Sequence, residues 1–326
     1  GNLTATDVGD LDRDGYTDLI VAYTSADDVL HLDWGENDGT PASGAWSFHR
    51  IYSDSGGLLV EVIWPDDTVA GDFDGDGDLD VALAYGSQET FGDPDGRILV
   101  FVNDGSPAGA DWDSYVVKDW SEFVRWFNLA AEDVDRDGHL DLIAYKGWDE
   151  WTSDFGRLVW YRNDGSPANG AWTGTTITEE AVTGGPLGLC TALGDFDRNG
   201  TLDAAVGQPE AMASPAFSWF VNDGTPSGSN WAPHEVDAGG SPCALAGDLD
   251  LDGDLDLVSD WGTSDFFGTP GTTAWYENDG TPGSGAWTNR TLGAGALEPE
   301  AAFDLDGDGD LDLLGSGWQE NQTIHR

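Results

Sequence analysis

Short apolar runs alternate with small and polar residues along the whole chain, and no apolar period of 3.6 residues persists for a useful length. Residues 19–22 and 81–84 are two such runs, and their length and composition are typical of buried strands. Each run follows a stretch rich in Asp and Gly, and small residues such as Ala70 and Gly71 precede that stretch. The pattern predicts β-strands and excludes a helical solenoid.

The pattern recurs every 53 to 62 residues, and each repeat holds four predicted strands. The first strand carries the small residues, and the second is the apolar run. The third ends at an Asn-Asp-Gly-Thr/Ser-Pro turn, which is a hairpin signal, and the fourth follows a Trp nine residues after that Asn. These turns begin at Asn37, Asn103, Asn163, Asn222 and Asn278. Four antiparallel strands repeated radially form a propeller blade, whose crowded innermost strand suits small residues.

The sixth repeat is shortened, because its Asp-Gly-Thr-Pro insertion is missing. We interpret it as a reduced closing blade. We therefore expect an all-β fold, a single β-propeller domain over residues 1–326 with six blades of four antiparallel strands. The alternative is a seven-bladed propeller that is incomplete in this chain. Because the chain begins at Gly1 without a Met or a signal sequence, we expect a mature or excised segment.

The acidic stretch of each repeat reads Asp-x-Asp-x-Asp/Asn-Gly-x-x-Asp, and we call these six nine-residue segments the acidic loops. Side-chain oxygens at positions 1, 3, 5 and 9 can surround one hard cation, and Gly at position 6 permits a sharp turn. The sequence therefore predicts about six bound Ca²⁺ ions. The predicted ligands are Asp10, Asp12, Asp14 and Asp18; Asp72, Asp74, Asp76 and Asp80; Asp133, Asp135, Asp137 and Asp141; Asp195, Asp197, Asn199 and Asp203; Asp248, Asp250, Asp252 and Asp256; and Asp304, Asp306, Asp308 and Asp312.

An EF-hand also begins with such a loop, but it requires a bidentate Glu at position 12 and flanking helices. Position 12 is never acidic in this chain. It is occupied by Val21, Leu83, Ala144, Val206, Ser259 and Gly315. We therefore expect each acidic loop to close a β-hairpin.

The chain has 62 acidic and 12 basic residues, and its formal charge is −50. This charge argues against nucleic acid or anionic lipid as a partner. No apolar run has the length of a transmembrane helix, so we expect no membrane insertion. The excess acidity is explained by solubility or by adaptation to a salty medium. Loops of this kind are often weak sites that fill at millimolar calcium, which indicates an extracellular or cell-surface location.

Two cysteines, Cys190 and Cys243, each lie five residues before the first Asp of an acidic loop. Equivalent positions in neighbouring repeats place them at the same height on adjacent strands. A disulfide between them is one expectation in an oxidising compartment. The other is two small buried residues that never meet.

Residues 69–80 (Val-Ala-Gly-Asp-Phe-Asp-Gly-Asp-Gly-Asp-Leu-Asp) and 275–280 (Trp-Tyr-Glu-Asn-Asp-Gly) resemble the FG-GAP/VCBS repeats of integrin α-like β-propellers. The resemblance covers essentially the whole chain, and it implies one Ca²⁺ per loop between the first two strands of each blade. The Phe-Gly and Gly-Ala-Pro marks of the integrin form are not in their expected places. The bacterial VCBS variety is therefore the closer match, and integrin-specific function is not implied.

Ten of the 16 tryptophans occupy repeated positions, which indicates packing between blades. The other six fall in connections that we expect on the face opposite the acidic loops. They are Trp64, Trp120, Trp126, Trp148, Trp151 and Trp261. Exposed aromatic side chains often mark binding surfaces, and flat rings suit the apolar faces of sugars. We take as candidate ligand-binding residues Trp120, Arg125, Trp126, Trp148 and Trp151. The alternative is that the long connections bury their own aromatic side chains.

Three functions remain open at this point. The favoured one is a calcium-stabilised, carbohydrate-binding (lectin-like) module that acts through the face opposite the acidic loops. A protein-binding adhesion or structural surface module is the alternative, so the expected partner is a glycan or another surface protein. A polysaccharide lyase or hydrolase is the third. It is less favoured because the chain has no nucleophile motif and no histidine-rich zinc spacing.

Overall fold

A computed structural model describes most of the chain, and the regular secondary structure of the described residues is β-strand apart from one 3-10 turn. The described residues are 4–40, 46–55, 60–89, 96–109, 112–120, 126–146, 156–169, 172–180, 191–207, 217–226, 231–237, 244–261, 272–283, 287–294, 298–304, 307 and 309–316. Among them, no helix is both long and apolar enough to cross a membrane. The residues fall into two compact units, Gly1–Thr176 and Ile177–Arg326.

Three four-stranded antiparallel sheets lie in the first unit, apart from residues 177–180 at the end of the third sheet, and their strands are hydrogen-bonded in chain order. Each sheet corresponds to one predicted repeat. The strands of the first sheet are β1 (Thr4–Gly9), β2 (Asp18–Thr24), β3 (Leu30–Glu36) and β4 (Ser47–Asp54). Those of the second are β5 (Val60–Gly71), β6 (Asp80–Glu89), β7 (Gly96–Val102) and β8 (Asp113–Trp120). Those of the third are β9 (Trp126–Glu132), β10 (Asp141–Lys146), β11 (Gly156–Arg162) and β12 (Thr173–Glu180), and a 3-10 turn (Pro167–Asn169) precedes β12.

The second unit repeats this arrangement in two four-stranded sheets and one two-stranded sheet. The strands of the fourth sheet are β13 (Thr191–Gly194), β14 (Asp203–Gly207), β15 (Phe217–Val221) and β16 (Ala232–Asp237). Those of the fifth are β17 (Ala244–Gly247), β18 (Asp256–Trp261), β19 (Thr272–Glu277) and β20 (Thr288–Ala294). The sixth pair is β21 (Glu298–Phe303) with β22 (Asp312–Ser316), and residues 317–326 lie outside the described part.

The second strand of a sheet is apolar throughout because both of its faces are covered. In the second sheet, Leu83 points toward the first sheet and joins a cluster with Trp34. Its neighbour Ala84 points the other way and joins a cluster with Leu142 and Val159 of the third sheet. Alternate residues of a strand lie on opposite faces, so a strand between two sheets needs apolar residues at every position. The second unit has a similar core between its fourth and fifth sheets.

Small residues at the end of the first strand allow the next repeat to approach closely. A Cβ added to Gly9 would lie 2.8 Å from Cδ1 of Leu79, which belongs to the second acidic loop. A Cβ added to Gly194 would lie 2.6 Å from Cδ1 of Leu255, in the fifth acidic loop. Both distances are too short for a real contact. A larger residue at either position would force the neighbouring leucine side chain to shift, so packing between successive repeats favours small residues there.

The four-stranded antiparallel unit predicted from the sequence is thus confirmed in five sheets. The number of blades, and a single closed domain over residues 1–326, stay predictions.

Candidate metal centres

Each acidic loop joins the first strand of its sheet to the second strand. In five loops, one carboxylate oxygen each from positions 1, 3 and 9 lies within 4.8 Å of the other two. The five triads are Asp10, Asp12 and Asp18; Asp72, Asp74 and Asp80; Asp133, Asp135 and Asp141; Asp195, Asp197 and Asp203; and Asp248, Asp250 and Asp256. Asp304 and Asp312 of the sixth loop are described, whereas Asp306 and Asp308 lie outside the described residues.

The Asp at position 9 is buried and holds the loop by both of its oxygens. In the second loop, Oδ2 of Asp80 accepts a hydrogen bond from the backbone N–H of Phe73 (2.9 Å). Its Oδ1 accepts one from the backbone N–H of Asn103 (2.8 Å), the first residue of the Asn-Asp-Gly turn. The same two bonds recur at Asp18, Asp141, Asp203 and Asp256. This residue therefore connects the acidic loop to the turn of the same sheet.

Burial disfavours the charged form of these position-9 side chains. It raises the pKa of Asp80 to about 7, of Asp203 to about 7 and of Asp141 to about 6, although the backbone hydrogen bonds act in the opposite direction. The pKa values of Asp18 and Asp256 are raised for the same reason. A bound cation would offset this desolvation and hold the carboxylates ionised.

Positions 1 and 5 shape the loop through backbone amides. Oδ2 of Asp10 accepts a hydrogen bond from the N–H of Gly15 (3.0 Å), and Oδ1 of Asp14 accepts one from the N–H of Tyr16 (2.8 Å). Equivalent position-5 bonds occur at Asp76, Asp137, Asn199 and Asp252. The structure thus brings together three of the four predicted ligands. The position-5 side chain instead accepts a hydrogen bond from the backbone N–H of position 7. Its role as a metal ligand stays a prediction.

Two buried carboxylate oxygens indicate that the triads fit a cation. Oδ1 of Asp195 and Oδ1 of Asp248, both at position 1, have no hydrogen-bond partner among the described residues. A buried oxygen without a donor is costly, and a hard cation with oxygen ligands would satisfy it. The donor set consists of carboxylate oxygens alone, which suits Ca²⁺ or Mg²⁺ better than softer metals.

The residue at position 4 has the left-handed backbone conformation, with positive φ, in all six acidic loops. The sequence reasoning missed this feature. The φ values are 61° at Arg13, 77° at Gly75, 61° at Arg136, 56° at Arg198, 60° at Leu251 and 79° at Gly307. Position 6 is also left-handed, and there the predicted glycine fits. Non-glycine residues in this region are strained. The glycines at position 4 of the second and sixth loops were the signal that could have revealed this conformation.

The Asn of three turns links two repeats, a second feature that the sequence reasoning missed. Nδ2 of Asn103 donates to the backbone O of Leu79 in its own repeat (3.2 Å) and to the O of Leu11 in the first acidic loop (3.0 Å). Asn163 bonds in the same way to Leu140 and Phe73, as Asn278 does to Leu255 and Phe196. These Asn side chains are buried. The turn is therefore a connection between sheets as well as a hairpin.

Several predicted residues lie outside the part of the chain that the structure describes. Arg125, Trp148 and Trp151 are among them, as are Cys190 and Cys243. Trp120 ends β8 and Trp126 begins β9, so the prediction that they lie in connections is wrong, and only their backbone is described. The ligand-binding residues and the disulfide therefore stay predictions. By contrast, the repeated residues Trp34, Trp160 and Trp219 are almost fully buried, as predicted for packing.

Comparison with solved structures identifies the fold. A lectin of Agrocybe aegerita that recognises non-reducing terminal N-acetylglucosamine has a TM-score of 0.58 and 17% identity, over 96% of this chain and 74% of the lectin. The α-L-arabinofuranosidase of Fusarium graminearum has a TM-score of 0.53 and 14% identity, over 97% and 88% of the two chains. An α-L-arabinanase of Penicillium chrysogenum, complexed with arabinobiose, also has a TM-score of 0.53 and 14% identity, over 99% and 91%. The protein is thus an all-β protein with propeller-like sheets.

Sequence comparison identifies the repeat. Residues 10–83 and 72–144 match the model of the FG-GAP-like repeat. Integrin alpha-PS2 of Drosophila melanogaster is 30% identical over 207 residues, which is 57% of this chain and 14% of the integrin's length. The chain therefore contains FG-GAP-like repeats similar to those of an integrin α-subunit, and the resemblance predicted from the sequence is confirmed.

Proposed function

We propose that this chain is a calcium-stabilised β-propeller, one domain of six blades over residues 1–326, with one Ca²⁺ in each acidic loop. The observation that carries the proposal is the repeated triad of carboxylates, together with the unpartnered oxygens of Asp195 and Asp248. Positions 1, 3, 5 and 9 would supply the ligands, directly or through water. Millimolar calcium outside the cell would fill such sites, so we place the protein there or at the cell surface.

Calcium removal tests this proposal. Stripping the protein of calcium should lower its melting temperature substantially, because clustered carboxylates repel one another and metal binding is linked to folding. Magnesium should restore the melting temperature poorly, since it demands a smaller octahedral site.

Metal analysis of the folded protein should find about six Ca²⁺ per chain. As a matched pair, Asp72→Asn should reduce the calcium response, whereas Asp104→Asn in the exposed turn should not. A melt unchanged by stripping would overturn the metal assignment.

A crystal structure tests the blade count. We expect six sheets around one axis, with residues 298–326 as the reduced sixth blade. A seventh sheet, or a gap where one belongs, would contradict the proposed closure.

We further propose that the module binds a glycan through the face opposite the acidic loops. The fold supports this proposal, because the proteins that share it include a lectin that recognises N-acetylglucosamine, an arabinofuranosidase and an arabinanase. The candidate sector is Trp120, Arg125, Trp126, Trp148 and Trp151. Aromatic rings would stack on sugar faces, and a guanidinium would grip an acidic sugar.

A glycan array with calcium-loaded protein tests the binding. Replacing both Trp126 and Trp151 by Ala should abolish binding to any glycan found and leave the calcium-dependent melt nearly intact. Leu251→Ala, on an acidic loop, is the matched control and should bind like the wild type. If the double replacement unfolds the protein, these rings are core and the site lies elsewhere.

A protein-binding adhesion module is the second candidate, and the match to an integrin α-subunit favours it. It predicts an empty glycan array together with calcium-dependent attachment to cells from which surface glycans have been removed. A polysaccharide lyase or hydrolase would instead release products from arabinan or acidic polysaccharides. The same protein preparation can be used for all three assays.

A further inference from the structure

In the third acidic loop, a side-chain cation already contacts two of the side chains at the predicted metal site. Arg162 is the last residue of β11, and its guanidinium pairs with Asp135 at position 3 through Nε. Its Nη2 lies 2.5 Å from Oδ2 of Asp137 at position 5. Both carboxylates are predicted metal ligands. A planar guanidinium that bonds two carboxylates is among the stronger polar contacts of a protein surface.

A second side chain of β11 reaches the same loop. Nε1 of Trp160 donates to Oδ2 of the buried Asp141 at position 9 (2.9 Å). That oxygen also accepts a hydrogen bond from the backbone N–H of Val134 (3.2 Å), so both of its lone pairs are occupied. Trp160 and Arg162 are two residues apart and therefore lie on one face of the strand. Three of the four predicted ligands in this loop thus already accept hydrogen bonds from β11 side chains.

The residue before the turn Asn varies in charge among the repeats, which suggests that it tunes each loop. It is Arg162 in the third repeat, Val102 and Val221 in the second and fourth, and Glu36 and Glu277 in the first and fifth. Only the third repeat has a cation at this position. A cation that binds the ligands of one loop competes with Ca²⁺ for the same oxygens and reduces the local negative charge.

We propose that Arg162 is an internal counter-ion of the third acidic loop, which makes that loop the weakest calcium site of the protein and keeps it ordered when calcium is low. This proposal rests on the proposed calcium binding. Calcium must compete with the guanidinium for Oδ2 of Asp135 and Oδ2 of Asp137. The other loops, which have valine or glutamate at this position, should fill first.

Hydrogen exchange of the intact chain during a calcium titration resolves the loops individually. Amides of Asp137 and Gly138 donate to Asp133, so their exchange reports the order of the third loop. Residues 72–80 of the second loop serve as the internal reference. In the wild type, protection of residues 133–141 should change at a higher calcium concentration than protection of residues 72–80. In calcium-free buffer, residues 133–141 should be the more protected segment.

Two reciprocal variants test the role of the charge. Arg162→Val should lower the calcium midpoint of the third loop about tenfold, since it removes charge-assisted hydrogen bonds from the ligands. It should also speed exchange of residues 133–141 without calcium. Val102→Arg should raise the midpoint of the second loop and leave the third unchanged, and it carries the test if Arg162→Val does not fold.

Equal midpoints in the wild type, or a third-loop midpoint that Arg162→Val leaves unchanged or raises, would overturn the proposal. If no loop responds to calcium in the wild type, the proposed calcium binding itself fails, and this result is distinct from the others.

Discussion

The backbone N–H of Asn103 donates a hydrogen bond to the buried Oδ1 of Asp80 across the second sheet (2.8 Å). The side-chain amide of Asn103 donates a hydrogen bond to the backbone carbonyl of Leu11 in the first acidic loop. One acidic loop, one hairpin turn and the acidic loop of the preceding repeat therefore form a single hydrogen-bonded unit. Any ion held by Asp80 would stabilise the contact between two sheets as well as its own loop.

We therefore predict that Asn103 contributes to stability through its hydrogen bond to Leu11, which joins two repeats. Asn103→Ala removes the side-chain N–H groups that donate to the carbonyls of Leu11 and Leu79, so we expect a loss of about 2 kcal/mol in the free energy of unfolding. Urea denaturation in saturating calcium measures it. The control is Asp104→Ala next in sequence, whose exposed side chain accepts a hydrogen bond from Ser106 (3.1 Å) and should matter much less. Equal effects of the two changes would contradict the role of Asn103.

Calcium should invert the pH dependence of stability. Burial raises the pKa of Asp80 and of Asp203 to about 7 in the metal-free loops. A carboxyl group whose pKa is higher in the folded than in the unfolded state binds more protons when folded, so stability falls as pH rises from about 4 to about 7. The fall should be on the order of 3 kcal/mol for each of these two groups in calcium-stripped protein. With calcium bound, protons compete with the ion, and stability should rise with pH.

Melting curves at pH 4, 5, 6 and 7, with stripped protein and in millimolar calcium, compare the two slopes. Parallel slopes would show that the buried carboxylates of the acidic loops do not hold the ion.

A different buried carboxylate should produce a pH dependence that calcium does not remove. Asp67 of β5 accepts hydrogen bonds from the N–H groups of Thr68 (2.9 Å) and Leu129 (2.7 Å), and burial raises its pKa to about 6. Its contribution to stability therefore falls as pH rises from about 4 to about 6, by roughly 2 kcal/mol. Asp67→Asn should remove this component. Urea denaturation of both proteins in saturating calcium, at pH 4 and pH 6, measures the difference. Identical pH profiles would mean that Asp67 is ionised as readily in the folded as in the unfolded protein.

The features predicted correctly from the sequence are those that depend on the spacing of residues close together in the chain. Apolar runs that follow Asp-rich loops specify which residues form the second strands, and the loop glycine at position 6 specifies a left-handed turn, as at Gly15. The grouping of the aspartates at positions 1, 3 and 9 into one triad also follows from the fixed length of the acidic loop. These relations lie within about ten residues, where the chain has few alternatives.

The features that were missed depend on contacts between residues far apart in the chain or on backbone strain. Nothing in the sequence around Asn103 shows that its amide reaches Leu11, which is 92 residues away. Arg162 carries no local sign of pairing with Asp135, because β11 and the third loop meet only once the sheet has formed. Such contacts require the packed sheets, and a pattern along one chain does not contain them.

The left-handed conformation at position 4 gives a last prediction, on backbone strain alone. Leu251 has φ of 60° and is 57% exposed, so its side chain gains little from burial while its backbone is strained. Gly75 occupies the same position in the second loop with φ of 77°, and a Cβ added there would meet nothing within 4 Å. Leu251→Gly should therefore stabilise the protein by about 0.5 kcal/mol, since relief of strain slightly exceeds the added flexibility of the unfolded chain. Gly75→Leu should destabilise it by about 1 kcal/mol for the opposite reason. Urea denaturation in saturating calcium measures both changes, and a stabilising effect of Gly75→Leu would show that position 4 is not strained.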